Sequence, residues 1–373
     1  MTVPSFDTVP STQTAIIQNP DGCKPCVSTS HPVPRLPSSI HILVRVAAVA
    51  LNPTDNKMPS YHPTPGAVMG CDFTGTIMSL GSSVSSVRPD LKTGMQVCGG
   101  VHGSNPADPT AGAFAQYIVT DARIVVRIPD SWTDEQAAAL GGIGWGCLGM
   151  ALWDTLGLTG TPSKPIQEVG GKKVPVLVYG GATATGTMAC QLLNLSGYTP
   201  LTTASARSAP LALSYGASHS ISYTSPSCGS TLRALTNTPT CQPLKHALDC
   251  ITSPESAAIC FEALGRTGGH YACLEAFDPA WQTRKAAKVN FVMGYEIFGK
   301  GVALEGVYGR EPDERKFERY STFALEMQDL LHRGLVRSHP LRSVDGGWNA
   351  IAKGLDILKR GDVRGGKLVV KVE

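Results

Sequence analysis

Charged and aromatic residues are scarce in this chain of 373 residues. Asp, Glu, Lys and Arg make up 16% of it, and Phe, Trp and Tyr 6%, whereas an average soluble domain has about 25% charged residues. The low charge and a mean hydropathy close to zero exclude a highly charged, disordered chain. The formal net charge is only +3 and no basic run accompanies it, so we do not expect a nucleic acid as a partner.

Long apolar runs are also lacking. The most continuous one, residues 137–153, has 17 residues and includes five glycines, while a membrane span needs about 17–25 apolar residues. A buried helix is therefore favoured there. No apolar signal segment is seen in residues 1–20, so we expect a cytoplasmic protein without a membrane span.

The cysteines give no sign of a disulfide framework or a metal centre. There are 11 of them, an odd number, scattered along the chain. Cys23 and Cys26 form one CxxC pair without a second pair at zinc-site spacing. Reduced thiols and no bound metal are the expected state.

The chain has two regions with different sequence patterns. Residues 1–35 contain six prolines and are expected to be irregular. Short strand-like pieces with glycine punctuation follow over residues 40–129, which is typical of a small β-barrel, and Ser131 with Asp134 predicts a capped helix. From residue 174 onward, apolar strands alternate with helices, which predicts a Rossmann-type doubly wound parallel sheet. Residues 160–173 are expected to form an exposed linker.

The most informative motif follows the predicted strand over residues 174–180. It reads Gly180, Gly181, Ala182, Thr183, Ala184, Thr185. A glycine turn between a strand and a helix brings backbone N–H groups against a diphosphate. The spacing departs from GxGxxG, and we expect the hydroxyls of Thr183 and Thr185 to donate to phosphate instead. An ordinary tight turn is the alternative.

Acidic residues are absent over 80 residues around this turn. Residues 169–248 contain no Asp or Glu but five cations, Lys172, Lys173, Arg207, Arg233 and Lys245. A dinucleotide site for NAD needs an Asp or Glu at the end of the next strand to hold the ribose 2′-hydroxyl. Here Ser205, Ala206, Arg207 and Ser208 stand at that place, so we predict NADPH rather than NADH.

A third feature is the stretch Asn52-Pro53-Thr54-Asp55-Asn56-Lys57 at the end of a predicted strand. A hydroxyl and an ammonium at a strand end are suited to phosphate, ribose or a reacting carbonyl. A solvated turn explains the same pattern equally well.

These pieces together resemble the zinc-independent quinone reductase branch of the medium-chain dehydrogenase/reductases. More narrowly, the chain resembles the trans-acting enoyl reductases of fungal polyketide synthases. The matching stretches span nearly the whole chain in order: NPTDNKM (52–58), GCDFTGT (70–76), GAFAQY (112–117), EQAAALGGI (135–143), VYGGATAT (178–185), ALDCITSPES (247–256), GRTGGHY (265–271) and GGKLVVKV (365–372).

The resemblance implies a fold of two domains. A GroES-like β-barrel would comprise residues 1–165 and return through residues 306–373, with the Rossmann NADPH-binding domain, 166–305, inserted between. It also argues against zinc, because the positions that carry zinc ligands in related alcohol dehydrogenases read Asn52–Asp55 and Gly70-Cys71-Asp72 here. Hydride addition to an activated C=C bond needs no such Lewis acid.

The resemblance further implies hydride transfer from NADPH to the β-carbon of an α,β-unsaturated acyl thioester, followed by protonation of the α-carbon. The catalytic candidates are Lys57 and Tyr295, with bulk water as a third proton source. The implied cofactor contacts are Thr54, Asp55, Asn56, Lys57, Gly180, Gly181, Ala182, Thr183, Ala184, Thr185, Ser205, Ala206, Arg207, Ser208, Tyr223, Leu274, Glu275, Val363 and Arg364. The implied lining of the acyl channel is Gly141, Gly142, Ile143, Gly144, Trp145, Gly146, Cys147, Leu148, Gly149, Met293, Gly294, Tyr295, Glu296 and Ile297.

Two residues depart from the family pattern. Glu275 stands where Asn is expected near the nicotinamide, and Trp145 adds bulk to the implied channel. The expected partner is an acyl chain on the carrier domain of a polyketide synthase or a synthase–peptide synthetase hybrid, and the expected state is a monomer. The alternatives are a stand-alone NADPH quinone or alkenal reductase, and a non-redox docking or cyclisation role.

Overall fold

The computed structural model describes residues 9–19 and 24–372. The chain forms two compact units. The first unit comprises the chain up to Ile143 and from Glu318 onward, and the second is Gly144–Phe317. These boundaries differ from the functional domain boundaries predicted after residues 165 and 305. Cys23 lies outside the described residues, and Cys26 and the nine other described cysteines are free thiols.

The first part of the first unit is rich in strands. Its strands are β1 (Thr12–Gln18), β2 (Pro25–Pro32), β3 (His41–Ala50), β4 (Asp72–Leu80), β5 (Gln96–Gly100), β6 (Tyr117–Asp121) and β7 (Val126–Arg127). Its helices are α1 (Pro53–Tyr61), α2 (Val84–Val87), a 3-10 turn (Ala122–Ile124) and α3 (Asp134–Leu140).

The second unit alternates strands and helices. It begins within α4 (Ile143–Gly149), which runs into a π-helical turn (Met150–Thr155). The regular elements that follow are β8 (Pro175–Tyr179), α5 (Ala184–Leu195), β9 (Thr199–Ala204), α6 (Ala209–Ser214), β10 (His219–Ser222), α7 (Cys228–Ala234), β11 (His246–Asp249), α8 (Pro254–Ala263), β12 (Gly269–Cys273) and β13 (Ala287–Phe291). Three 3-10 turns follow or flank β13, at Pro279–Trp281, Gly294–Phe298 and Gly306–Tyr308.

The chain then returns to the first unit. The boundary after Phe317 falls in the first turns of α9 (Glu314–His332), and β14 (Leu341–Ser343), α10 (Trp348–Lys359) and β15 (Lys367–Lys371) complete the unit. The seven-stranded mixed sheet has the order β14-β15-β3-β4-β5-β7, and β6 pairs with β3. The last strand β15 pairs with β3, with Val370 opposite Val49.

The sheet of the second unit is six-stranded and parallel. Its strand order is β10-β9-β8-β11-β12-β13. The first strand of the unit, β8, lies in the middle; β9 and β10 are added on one side of it and β11 to β13 on the other. This is the strand order of dinucleotide-binding sheets. The doubly wound sheet predicted from the alternation of apolar strands and helices is confirmed. The central strand β8 is buried along its whole length, because helices cover both faces of such a sheet.

Several local predictions need correction. Residues 12–18 and 25–32 pair as the antiparallel strands β1 and β2 rather than forming irregular structure, since edge strands tolerate prolines at their ends. Helix α3 begins two residues later than expected, because Thr133 and Gln136, not Ser131 and Asp134, make the reciprocal capping box. Residues 53–61 are helix α1 and not a turn, because Pro53 stands at its first position and Asn52 with Asp55 forms a capping box.

Candidate functional site

The carboxyl edge of the parallel sheet gathers the cofactor residues predicted in the second unit. Strands β8, β9, β10 and β12 end at residues 179, 204, 222 and 273. The predicted contacts begin immediately after these ends, as Gly180, Ser205, Tyr223 and Leu274. Ligands of open parallel sheets bind outside this edge, at the point where the strand order reverses. That point is β8, so the turn at Gly180 lies at the expected place.

The glycines of this turn are required by close packing. Gly180 has φ +80°, which favours glycine. A Cβ on Gly181 would lie 2.5 Å from Cβ of Thr202, and one on Gly186 would lie 2.2 Å from the carbonyl oxygen of Gly180. The backbone of the turn therefore lies directly against β9 and the start of α5.

Thr183 has a different task from the one predicted for it. Its hydroxyl donates to the carbonyl oxygen of Gly180 at 2.8 Å and accepts from the N–H of Gly186 at 3.0 Å. The hydroxyl hydrogen is thus already used, and Thr183 is the N-cap of α5. The expectation that its hydroxyl donates to phosphate is wrong in this structure. No hydrogen bond of the Thr185 side chain is found among the described residues.

The N-terminus of α5 fits a diphosphate. The helix has 12 residues, and within the described part of the chain the N–H groups of Ala184 and Thr185 make no hydrogen bond. Unpaired N–H groups at a helix start, aligned with the helix dipole, stabilise a phosphate. The absence of side chains larger than methyl at Gly180–Ala182 leaves the backbone open to it. The residues present therefore fit a nicotinamide dinucleotide.

The end of β9 forms a small serine turn. The hydroxyl of Ser205 accepts from the N–H of Ser208 at 3.2 Å and donates to the hydroxyl of Ser208 at 3.1 Å. Ala206 and Arg207 are exposed, and Arg207 makes no ion pair within the described residues. The turn thus presents two hydroxyls and one guanidinium where an NAD site would present a carboxylate.

Tyr223 and Glu275 lie at opposite halves of the same edge. Tyr223 is 44% exposed, and its ring centroid lies 6.4 Å from that of Tyr179, the residue before the glycine turn. Glu275 follows β12 and accepts at Oε1 from the hydroxyl of Tyr308 at 2.7 Å. Its neighbour Leu274 is half-buried.

Residues 250–253 belong to this edge and had no predicted role. A Cβ on Gly180 would lie 3.1 Å from Cγ1 of Ile251. Thr252 has φ +61° and a buried Oγ1 that makes no hydrogen bond within the described residues. Asp249 holds the loop through the N–H groups of Ile251 and Thr252, each at 2.9 Å. The signal was available, since ALDCITSPES was one of the stretches that carried the resemblance.

The carboxylate of Asp249 is itself satisfied by neutral donors. Its Oδ2 accepts from the hydroxyl of Tyr271 at 2.7 Å and from that of Ser256. Burial raises the pKa of Asp249, and the hydrogen bonds from Ser256 and the loop act in the opposite direction.

The two stretches predicted for the acyl channel meet within the second unit. A Cβ on Gly294 would lie 2.6 Å from Sγ of Cys147. Gly144, Cys147 and Gly294 are half-buried, whereas Trp145 and Leu148 on the same helix are buried. A Cβ on Gly144 would meet no atom within 4 Å. Open space at Gly144 is what a channel requires.

Gly141 and Gly142 serve packing in the first unit. A Cβ on Gly141 would lie 2.3 Å from Cγ of Asp72, and one on Gly142 would lie 2.2 Å from the N–H nitrogen of Gly100. The carbonyl of Gly142 also accepts from the hydroxyl of Tyr320 at 3.2 Å. For these two residues close packing accounts for the glycine, and Ile143 beside them is buried.

The catalytic candidates differ in exposure. The side chain of Lys57 is exposed, whereas Tyr295 is only 4% exposed. The carboxylate of Glu296 pairs with Lys316 and, at 3.5 Å, with Arg310, so its charge is matched within the second unit. Met293 and Ile297 are buried.

The other predicted residues of the first unit lie on or near α1 and α10. Oδ2 of Asp55 accepts from the N–H of Asn52 at 2.7 Å, and the amide of Asn56 donates to the carbonyl of Leu355 at 2.9 Å. Both side chains are thus used inside the unit, while Thr54 is half-buried. Following α10, Val363 packs on the core of the unit and Arg364 is exposed.

A buried charged cluster connects the two stretches, residues 52–55 and 70–72, that stand where related alcohol dehydrogenases carry zinc ligands. Oδ2 of Asp72 accepts from Nζ of Lys367 at 3.0 Å and from the amide of Asn52 at 2.8 Å. Its Oδ1 accepts from the N–H groups of Gly142 and Ile143, at 2.8 and 3.0 Å. The charge of Asp72 is therefore matched by an ammonium. Sequence reasoning missed Lys367, whose partner lies 295 residues away.

Over residues 9–19 and 24–372, no group of three or more His, Cys, Asp or Glu side chains is placed to hold a metal ion. In the same residues, no helix is both long and apolar enough to cross a bilayer.

Comparison with known proteins places these features in a family. Residues 38–130 match the alcohol dehydrogenase GroES-like domain. The chain is 46% identical to trans-enoyl reductase calK of Penicillium decumbens, covering 96% of this chain and 98% of that protein. It is 44% identical to trans-enoyl reductase ffsC of Aspergillus flavipes, covering 98% and 97%. An alcohol dehydrogenase superfamily protein from Novosphingobium aromaticivorans shares the fold, with a TM-score of 0.74, 22% identity and coverage of 97% and 100%. This chain belongs to the trans-enoyl reductase family, within the fold of the medium-chain dehydrogenase/reductases, which implies a nicotinamide cofactor.

Proposed function

We propose that this enzyme reduces the C=C bond of α,β-unsaturated polyketide acyl thioesters with NADPH, acting in trans on an acyl chain that a synthase carrier domain holds. One observation carries the proposal, namely the 46% identity to a named trans-enoyl reductase over 96% of the chain. A hydride donor site at the carboxyl edge of the parallel sheet supports the redox chemistry.

The cofactor is assigned as the 2′-phosphorylated form, NADPH, because the second unit has few acidic residues near the predicted cofactor site. When bound, NADPH supplies the hydride for the β-carbon. The turn Gly180–Thr185 holds the diphosphate through its backbone, and Ser205, Arg207 and Ser208 hold the 2′-phosphate. The absence of any Asp or Glu over residues 169–248 supports this assignment, because a carboxylate at the end of β9 would repel that phosphate.

Replacing serine by a carboxylate at β9 tests the assignment. Ser205→Asp places the acid of an NAD site where the 2′-phosphate would lie, and Arg207→Ala removes the guanidinium. We expect the ratio of NADPH to NADH affinity to fall at least tenfold in each variant. Equal ratios in both variants and the parent enzyme contradict the assignment. Arg233→Ala, in the same unit but on α7, is the matched control.

Side chains of the protein orient the thioester and donate the proton to the α-carbon. Cationic or N–H donors near the thioester oxygen stabilise the developing enolate. The exposed ammonium of Lys57 is one candidate donor for the α-carbon proton, and the Tyr295 hydroxyl is the other. Both groups exchange their protons with solvent, so the test compares kcat for a thioester in Lys57→Met and Tyr295→Phe. We expect kcat to fall in the variant that lacks the donor, and an unchanged kcat in both variants indicates bulk water.

The acyl chain is assigned to the face of α4 that carries Gly144 and Cys147, opposite Gly294. Because a Cβ at Gly144 meets no atom within 4 Å, we expect Gly144→Ala to fold without strain, and Gly144→Phe then fills more of the same space. We expect kcat/KM to fall progressively for long acyl thioesters and to stay near the parent value for a crotonyl thioester. A uniform loss for both substrates contradicts a channel at Gly144.

The decisive experiment follows NADPH oxidation with two substrates in parallel. One is an α-methyl-enoyl pantetheine thioester, and the other is a free quinone. Turnover of the thioester supports the proposed function. Turnover of the quinone alone contradicts it and indicates the stand-alone quinone reductase instead. Binding of NADPH without turnover of either substrate, even with the carrier-bound acyl chain, indicates a non-redox role.

We also propose that the protein is a monomer, which light scattering tests.

A further inference from the structure

A short strap of chain covers the end of β13 in the second unit. We define the strap as residues 302–310. Its two ends are joined as an antiparallel bridge, in which the N–H of Val302 donates to the carbonyl of Arg310 at 2.8 Å and the N–H of Arg310 donates back at 3.0 Å. Tyr308 lies in the 3-10 turn between these ends.

The strap is fastened to the sheet by contacts at both Tyr308 and Arg310. The ring of Phe291, the last residue of β13, meets the ring of Tyr308 edge-on, with centroids 5.6 Å apart. The guanidinium of Arg310 lies over the same phenyl ring at 5.4 Å and pairs with Glu296 at 3.5 Å. These contacts restrict the Tyr308 side chain to one position.

That position serves Glu275. The Tyr308 hydroxyl donates to Oε1 of Glu275 at 2.7 Å, and the N–H of Ala276 donates to the same oxygen at 3.0 Å. Glu275 stands two residues after β12 and is half-buried. Two donors on one oxygen fix the direction of the carboxylate.

The topology indicates which part of the cofactor Glu275 serves. A dinucleotide-binding sheet has two halves, one for each mononucleotide. The glycine turn and the serine turn mark β8–β10 as the half that binds the 2′-phosphorylated adenosine. The half formed by β11–β13 is left for the nicotinamide nucleotide, and Glu275 stands at its carboxyl edge.

We propose that Tyr308 is a positioning residue that holds the Glu275 carboxylate as a fixed negative charge toward the nicotinamide. The inference rests on the proposed function. The nicotinamide ring gains a positive charge when it gives up a hydride, so a nearby carboxylate stabilises the oxidised form relative to the reduced form. The residue that departs from the family pattern therefore increases the driving force for hydride donation.

The test compares the affinities of the two cofactor forms. The dissociation constants of NADP+ and NADPH are measured by calorimetry on the full-length enzyme and on Glu275→Gln, Glu275→Asp and Tyr308→Phe. We expect the ratio Kd(NADP+)/Kd(NADPH) to rise about tenfold in Glu275→Gln, because the charge is lost. In Tyr308→Phe the ratio rises by a smaller factor, and in the double variant it matches Glu275→Gln.

Two comparisons keep the result specific. Glu275→Asp retains the charge, so its ratio stays within about twofold of the parent ratio, and Tyr61→Phe, a 70% exposed tyrosine on α1, leaves both constants unchanged. A Glu275→Gln variant that weakens both forms equally, or neither, overturns the inference while the proposed function stands. A parent enzyme that binds neither form overturns the proposed function as well.

Discussion

Each unit buries one aspartate completely, and the two are stabilised in different ways. Asp72 and Asp249 are both 0% exposed. Asp72 is matched by the ammonium of Lys367 and by backbone N–H groups. Within the described part of the chain, Asp249 accepts only from hydroxyls and backbone N–H groups. The partners of Asp249 lie within 22 residues, whereas Lys367 lies 295 residues from Asp72.

The difference follows from the chain path. The second unit is continuous in sequence, so a buried carboxylate finds local donors on the next loop, helix and strand. The first unit is interrupted by the second, and its last strand must be brought back to β3 from a distant part of the chain. An ion pair between β4 and β15 joins the two separated segments, and it is lost entirely if β15 does not return.

Among the changes that test this comparison, removing the Lys367 ammonium is expected to have the largest effect on stability. Lys367→Met leaves the Asp72 carboxylate buried without a counter-charge, so we expect the free energy of unfolding to fall by about 3–5 kcal/mol. Urea denaturation measures the loss. Lys371→Met, at the exposed end of the same strand, is the control. Asp72→Asn combined with Lys367→Met recovers part of the stability, and a double variant as unstable as the sum of both single variants contradicts the ion-pair account.

A third buried carboxylate, Asp55, sharpens the comparison because it lacks a cation of its own. Burial, with a smaller contribution from the charge of Asp72, raises the pKa of Asp55 to about 7 from 3.8. Since the folded-state pKa is the higher one, the contribution of Asp55 to stability is fully present below about pH 4 and is lost as the pH rises through 7.

Asp55→Asn removes this pH dependence while keeping an acceptor for the cap. We expect the stability of Asp55→Asn relative to the parent enzyme to increase by up to about 4 kcal/mol between pH 4 and pH 8, from about three pKa units. Thermal unfolding over that range measures it. Asp356→Asn, an exposed residue of α10, shows no such trend. A constant difference between Asp55→Asn and parent would mean that Lys367 already compensates both carboxylates.

The neutral cluster of the second unit is expected to be less sensitive. Tyr271→Phe removes one of four groups that donate to Asp249 and leaves the ring packed on Phe261 and Phe277, with centroids 5.0 and 5.6 Å away. We expect a loss of about 1–3 kcal/mol in urea denaturation. Tyr61→Phe is again the exposed control. A loss equal to that of Lys367→Met would remove the distinction between charged and neutral partners.

The smallest effects come from a matched pair of helix caps, one in each unit. Thr133 caps α3 by accepting from the N–H of Gln136, and Thr183 caps α5 by accepting from the N–H of Gly186. Each change to Ala costs about 1 kcal/mol of stability. We expect only Thr183→Ala to weaken NADPH binding, by about fivefold, because that cap shapes the phosphate turn. Equal NADPH affinity in both variants would separate the cap from the cofactor site.

Periodicity and turn chemistry were sufficient to predict much of the fold. The alternation of apolar strands and helices after residue 174 predicted the parallel sheet, and the run at residues 40–51 predicted β3, because both signals are local. The strand pair β1–β2 and helix α1 were missed, since prolines at their ends were interpreted as irregular structure. Strand β13 and helix α7 were missed because their residues, such as Lys288 and Asn290 in β13, break the apolar pattern.

The sequence by itself determined the fold class, the glycine turn at 180–181 and the carboxylate-free stretch beside it. These features depend on residues close together in the chain, where propensity and spacing act directly. Only the tertiary structure decided that Thr183 is a cap, that Gly141 and Gly142 are packing positions, and that Gly144 faces open space. It alone brought Lys367 to Asp72 and Tyr308 to Glu275, because the chain path, and not the local sequence, sets which distant side chains share a buried or half-buried position.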